Sequence, residues 1–329
     1  MRIVLCYPVE PRHFKQIADI APQAELVNAS QERIAEELLE ADIFCGHAKV
    51  PVPWDEIVAK GRLRWSQSTA AGIDHCLTPS VVRSDILVTG ASGLFADQVA
   101  EQTLALLLGL LRGLPTFFRQ QQAKQYIRRP TGDLHGATVG IVGFGGNGRR
   151  LAEILATFQT RLLATDLFPE GKPSHVEALW PEEKFEELLP LVDVLVLCVP
   201  LTAKTHGMIN ARSLSRMKRG SLLINVARGQ VVVEQDLVQA LVSGHLAGAG
   251  TDVNEIEPLP SESLLWGLPN VIITPHVGAQ SAKRIDDATN LVCENLRRYL
   301  RGQPLWNVVD KELGFPRPTF IWTPKNPAG

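Results

Sequence analysis

An α/β chain of two doubly wound parallel-sheet domains is predicted by three observations. Short apolar runs alternate with helix-spaced patterns along almost the whole sequence. One of these runs opens into a glycine-rich turn and then into a helix. The length, 329 residues, suffices for two such domains.

The first strand-like runs are residues 3–6, 24–27, 43–46, 63–66 and 86–88, with helical patterns such as 31–39 between them. A long segment then runs from 99 to 111 and on to about 125. It is apolar nearly all round, so it reads as a buried connecting helix. Six more runs follow, at 139–142, 162–165, 194–199, 221–225, 247–251 and 271–274. Six strands with intervening helices fit a complete dinucleotide-binding sheet. One further helix is expected over 282–301, followed by Gly/Pro-rich chain without periodicity.

The run at 138–142 breaks into Gly143-Phe144-Gly145-Gly146-Asn147-Gly148, and Leu151, Ile154, Leu155 and Phe158 then share one helix face. Strand, spaced glycines and helix together form a dinucleotide fingerprint. Gly143 permits the tight turn, Gly145 lets backbone approach a pyrophosphate, and Gly148 lets helix and strand pack closely. The helix N-terminus offers N–H groups and partial positive charge to the phosphates. The next run ends in Asp166, an acceptor for ribose hydroxyls and a repellent for a 2′-phosphate. No Arg follows within 167–170, so NAD is expected rather than NADP.

Bulk properties exclude several classes. The formal charge is −2, from 33 basic and 35 acidic residues, which gives no electrostatic case for nucleic acid. The pairs Arg128-Arg129 and Arg149-Arg150 read as solvated surface. Five scattered cysteines without metal-ligand spacing suggest buried thiols in a reducing compartment, and no metal site is expected. The N-terminus reads as a strand rather than a signal peptide. The longest apolar stretch, 104–111, falls short of the ~20 residues that span a bilayer. A cytoplasmic location without membrane contact follows as the expectation.

Ligands of open parallel sheets bind beyond the carboxyl ends of strands. Beyond the strand at 221–225 lie Ala227-Arg228-Gly229; beyond 247–251 lie Asp252 and, five residues on, Glu257; beyond 271–274 lie Pro275-His276-Val277-Gly278. Each residue alone has an ordinary reading as a surface charge, a cap or a loop. Together, at the mouth of one dinucleotide sheet, they suit hydride transfer to a 2-oxo acid. Arg holds an anion through a planar fork. His donates the proton that carbonyl reduction needs, and a neighbouring carboxylate fixes its tautomer.

The segments 139–148, 195–210, 222–241, 249–260 and 268–278, in this order and spacing, resemble the D-isomer-specific 2-hydroxyacid dehydrogenase family over nearly the whole chain. The resemblance implies an NAD-binding Rossmann domain over 97–279, including the connecting helix. It implies a smaller flavodoxin-like substrate domain formed by 1–96 with 280–329. By the same resemblance Arg228 binds and polarises the 2-oxo acid, His276 is the general acid/base and Glu257 is its partner. Ala70, Ala71 and Gly72 would present backbone N–H groups to the substrate carboxylate. Gly146 and Asn147 would touch the pyrophosphate, Asp252 would lie near the nicotinamide carboxamide, and Val199, Pro200, Thr205, Val226, Ala227 and Gly278 would line the cofactor cleft. A homodimer formed through the connecting helix is implied as well.

Two departures from the family pattern stand out. Asn147 replaces an isoleucine in the glycine loop, and 125–129 lacks a tryptophan often found there. His47 and Lys49 could meet a polar or phosphorylated substrate, whereas His75 matches no catalytic position. Glyoxylate, hydroxypyruvate, phosphoglycerate and longer 2-oxo acids stay open as substrates. So do an NAD(H)-sensing corepressor and a phosphite-type dehydrogenase on the same fold. Glu257, where formate enzymes carry glutamine, argues against that branch.

Overall fold

In the computed structural model the structure describes residues 1–318. Its elements run β1 (Arg2–Cys6), α1 (Pro11–Ile20), β2 (Glu25–Asn28), α2 (Ile34–Glu37), β3 (Ile43–Gly46), α3 (Trp54–Lys60), β4 (Trp65–Ser68), α4 (Pro79–Arg83) and β5 (Leu87–Thr89). Then come α5 (Ala96–Leu111), α6 (Leu114–Gln122), β6 (Thr138–Val142), α7 (Gly146–Ala156), β7 (Arg161–Asp166), β8 (Ala178–Pro181), α8 (Phe185–Leu188), β9 (Val194–Leu197), α9 (Ala211–Arg216) and β10 (Ser221–Asn225). The described residues end with α10 (Glu234–Val242), β11 (Leu246–Thr251), β12 (Val271–Ile273), α11 (Arg284–Leu300), β13 (Val309–Asp310) and β14 (Phe315–Pro316). It divides into two compact units, Met1–Phe95 with the chain from Ser281 onward, and Ala96–Gln280.

The first unit is a five-stranded parallel sheet in the order β2-β1-β3-β4-β5. The order reverses between β1 and β3, as doubly wound sheets do. β1 and β3 are buried along almost their whole length, which is why they read as continuous apolar runs. β4 is buried too, yet carries Ser66, Gln67 and Ser68. Gln67 Oε1 accepts from Thr89 Oγ1 at 2.8 Å and from Asn295 Nδ2 at 2.7 Å, and the Trp65 indole donates to Thr89 at 2.8 Å. Because this satisfied polar network sits where apolar residues are usual, the sequence pattern placed the strand two residues early.

The second unit is a seven-stranded sheet, β12-β11-β10-β9-β6-β7-β8, with every pairing parallel. The strand the sequence did not signal is β8. It is four residues long, ends in Pro181 and is only partly buried at the sheet edge. Short edge strands bury little and tolerate proline, so they leave no apolar run.

Three further expectations are corrected. Residues 31–33 form a turn, and the helix predicted from 31 begins at Ile34. The segment after residue 96 is two helices rather than one: Gly113 adopts φ +68° and Pro115 opens α6. Nor is it buried all round, since Leu114 and Phe118 of α6 are 39% and 58% exposed. Finally, the tail after α11 holds an antiparallel pair, β13 with β14. Among the described residues no helix is long and apolar enough to cross a membrane.

Candidate active site

The second sheet reverses order between β6 and β9, and the glycine loop follows β6 at that point. Gly143 adopts φ +91°, and a Cβ there would lie 2.7 Å from the carbonyl carbon of Cys198, just past β9. A Cβ on Gly148 would lie 2.2 Å from Gly143 O, so helix and turn touch only because both residues are glycine. Gly145 differs: it is exposed, and no atom lies within 4 Å of where its Cβ would be. Gly145 is also the N-cap of α7, with Gly146, Asn147 and Gly148 forming its first turn. An open face over a helix N-terminus, lined by backbone N–H groups, fits a pyrophosphate.

Asp166 ends β7 beside this loop. Its Oδ2 accepts the Phe144 N–H and its Oδ1 accepts the Phe168 N–H at 2.8 Å, so the carboxylate ties the glycine turn to the 166–168 loop. Arg149 stays partly solvent-exposed, as the sequence suggests, and also meets backbone. Its guanidinium donates to the carbonyls of Glu170 and Gly171 at 2.6 and 2.7 Å and lies over the Phe144 ring. Across the reversal point, Thr205 Oγ1 donates to Pro200 O at 2.6 Å and accepts the Thr202 N–H at 2.8 Å, which shapes the Val199–Thr205 turn. The Cys198 thiol is pushed up to about 12 by burial.

Three loops past β10, β11 and β12 hold the remaining residues. Asn225 shapes the first: its Oδ1 accepts the Ala227 N–H and its Nδ2 donates to Arg228 O, both at 3.1 Å. Arg228 is half-buried and donates to Ala227 O at 2.8 Å. Val226 is half-buried beside the buried Ala227. Gly229 packs against the second loop so closely that a Cβ would stand 1.8 Å from Asn254 O.

In that second loop Glu257 uses both carboxylate oxygens. Oε1 accepts the Asn254 N–H at 3.0 Å, and Oε2 meets His276 Nδ1 at 2.8 Å. Nδ1–H on a carboxylate leaves Nε2 as the nitrogen that exchanges protons. His276 itself has φ +54°, a left-handed conformation that non-glycine residues hold only when surroundings enforce it. The enforcement comes from Asp252, which is 3% exposed. Its backbone carbonyl accepts the His276 N–H at 2.7 Å. Its Oδ1 accepts from Thr274 Oγ1 and the Val277 N–H at 2.6 and 2.9 Å, and its Oδ2 accepts the Gly278 N–H at 2.7 Å. Gly278 has to be small, since a Cβ would lie 2.8 Å from that Oδ2.

In the first unit the 69–75 loop follows β4, and its Ala71 and Gly72 N–H groups meet no acceptor among the described residues. Ala70 donates to Ser68 Oγ at 3.1 Å. His75, set aside on sequence, stacks on His47 with ring centroids 4.0 Å apart. Burial first, then the nearby His75 and Lys49, push His47 down to about 4.

The sequence pattern pointed to Arg228, Asp252, Glu257, His276 and Gly278, and the second unit gathers all of them. It also adds residues the pattern missed. Arg149 and Asn225 bond backbone groups, Gly229 packs on Asn254, Asn254 donates its N–H to Glu257 and Thr274 its hydroxyl to Asp252; all but Arg149 lie within the motif segments, but nothing in the spacing names their partners.

Residues 104–278 match the family model described as "D-isomer specific 2-hydroxyacid dehydrogenase, NAD binding domain". The chain is 31% identical over 294 residues to a glyoxylate reductase of Pyrococcus furiosus, covering 86% of each. Its fold matches a solved family member from Aeromonas salmonicida at 31% identity, with TM-score 0.79 over 94% of this chain and 99% of that one. It also matches an NADPH-dependent glyoxylate/hydroxypyruvate reductase of Sinorhizobium meliloti, solved with NADP and sulfate, at 26% identity. There the TM-score is 0.81 over 95% of this chain and 99% of the other. A glycine cradle at the order reversal, a paired His276 and Glu257, and these likenesses agree: the chain belongs to the D-isomer specific 2-hydroxyacid dehydrogenase family and is an oxidoreductase carrying that family's NAD-binding domain.

Proposed function

We propose that the enzyme reduces small 2-oxo acids such as glyoxylate or hydroxypyruvate, using NADH. The observation that carries this reading is the 2.8 Å contact between His276 Nδ1 and Glu257. A bound nicotinamide supplies the hydride to the carbonyl carbon. His276 Nε2–H gives its proton to the carbonyl oxygen as negative charge develops there, and the ring is reprotonated from solvent. Glu257 holds the ring orientation throughout. The Arg228 guanidinium, a rigid fork, binds and polarises the 2-oxo acid. Gly143, Gly145, Gly146, Asn147 and Gly148 would hold the pyrophosphate, with Val199, Pro200, Thr205, Val226, Ala227, Asp252 and Gly278 around the rest of the cofactor. The unclaimed N–H groups of Ala71 and Gly72, with Ala70 beside them, support reading that loop as carboxylate-binding.

An NADH-oxidation screen over small 2-oxo acids tests the reading. Turnover of glyoxylate or hydroxypyruvate supports it. A flat response to every acid, with NADH still bound, would favour a dinucleotide-sensing protein.

We assign NAD rather than NADP because the carboxylate of Asp166 suits a free ribose diol and opposes a 2′-phosphate. Asp166→Ala is expected to raise the NADPH-to-NADH ratio of kcat/KM by about tenfold, from the loss of one repulsive charge. An unchanged ratio in steady-state assays would contradict the assignment. We also infer a homodimer through the α5–α6 region. Phe118 in α6 and Tyr126 and Ile127 just past it are 58%, 96% and 49% exposed, large side chains that a second copy would cover. Light scattering on a sizing column should give twice the chain mass; the mass of a single chain would refute it. The five free thiols, four of them buried, support a reducing cytoplasmic setting.

A further inference from the structure

We propose that Gln102 is a positioning residue for the acid–base centre, acting through Thr274 and Asp252 on the backbone that carries His276. The proposal rests on the reading of His276 given above.

Gln102 lies in α5, 172 residues before Thr274 in sequence, and its Nε2 donates to Thr274 Oγ1 at 2.8 Å. A hydroxyl that accepts a hydrogen bond keeps its own proton for another acceptor. Thr274 spends that proton on Asp252 Oδ1, at 2.6 Å. The amide of Gln102 thereby sets the direction of the chain: amide to hydroxyl, hydroxyl to carboxylate.

Asp252 then fastens the loop, through Val277 N–H and Gly278 N–H on its carboxylate and His276 N–H on its carbonyl. Every one of these bonds falls on the segment 274–278, within two residues of His276. The left-handed φ of His276, +54°, relaxes unless such bonds oppose it. Gln102 also packs on the far end of this loop, its Cγ lying 3.6 Å from where a Cβ on Gly278 would be. One side chain of α5 thus meets both ends of the segment, at Thr274 and at Gly278. Proton transfer depends on placement to a fraction of an ångström, so loosening this brace costs rate more than binding.

The test is a double-mutant cycle with NADH and glyoxylate. Gln102→Met removes the donor at similar volume, and Thr274→Val removes the hydroxyl at similar shape. Each is expected to lower kcat about three- to tenfold, the scale of one lost hydrogen bond, with KM for NADH within about twofold. If the two act through one chain, the double variant is no slower than Thr274→Val alone. Thr274→Ser keeps the hydroxyl and should match the parent. Losses that multiply, a Gln102→Met enzyme as fast as the parent, or a Thr274→Ser loss equal to that of Thr274→Val, would each overturn the proposal.

Amide hydrogen exchange reads the same brace without turnover. Exchange across 274–278 should quicken in Gln102→Met, and identical protection would overturn the proposal. If the parent reduces no 2-oxo acid, the reading of His276 fails while the exchange result still judges the brace. If the parent is active but Gln102→Met matches it, only the positioning role fails.

Discussion

His276→Ala is expected to lower kcat for 2-oxo acid reduction by about a hundredfold or more, the usual scale for losing a general acid. The dissociation constant for NADH should stay within a few-fold of the parent value. The reasoning follows the geometry. Glu257 holds Nδ1 at 2.8 Å, so Nε2 alone is available to protonate a carbonyl oxygen. Of the carboxylates in the three loops, Asp252 accepts from three donors, Glu255 accepts the Glu234 N–H at 2.9 Å and Glu257 holds the imidazole ring, so none of them stands in for Nε2. The glycine turn, Asp166 and the α7 N-terminus are untouched by the substitution, so cofactor affinity should survive. Steady-state assays over glyoxylate and hydroxypyruvate, with NADH fluorescence titration, check both halves. Near-normal turnover would refute the acid/base role.

Gly229→Ala should damage both halves of the site at once. A Cβ at 229 would stand 1.8 Å from Asn254 O and 2.5 Å from Glu255 N, which are backbone atoms with no rotamer to yield. Relief requires the Arg228 loop and the 252–257 loop to separate by more than an ångström. Overpacking of this kind costs about 3 kcal/mol or more, and a shift of about 1 Å in catalytic geometry costs about a hundredfold in rate. The variant should melt well below the parent and lose kcat, although it retains Arg228, Glu257 and His276. Thermal melting and the glyoxylate assay together test this; parental values in both would show that the two loops are not locked through Gly229.

Much of this architecture was legible in the residues themselves. The buried strands β1, β3, β6, β9 and β10 announce themselves as unbroken apolar runs because parallel strands are covered on both faces. The glycine loop was legible because each glycine answers a steric demand, visible as the 2.7 and 2.2 Å approaches at Gly143 and Gly148. The structure was needed where a residue's role depends on a distant partner. The polar network to Thr89 and Asn295 displaced the expected β4 by two residues, and shortness at an edge hid β8. The break at Gly113 is masked by apolar residues that run on past it into α6.

The sequence by itself determined a doubly wound fold, a dinucleotide cradle and the set of residues beyond the strand ends, because these follow from local periodicity, from glycine's missing side chain and from strand order. Tertiary structure alone decided how those residues are held. It placed Asp166 on the amides of Phe144 and Phe168, Arg149 on the carbonyls of Glu170 and Gly171, and Gln102 against Thr274 across 172 residues. The physical reason is that hydrogen-bond partners are chosen by proximity in space, and neither composition nor spacing along a chain records which distant backbone group a side chain will meet.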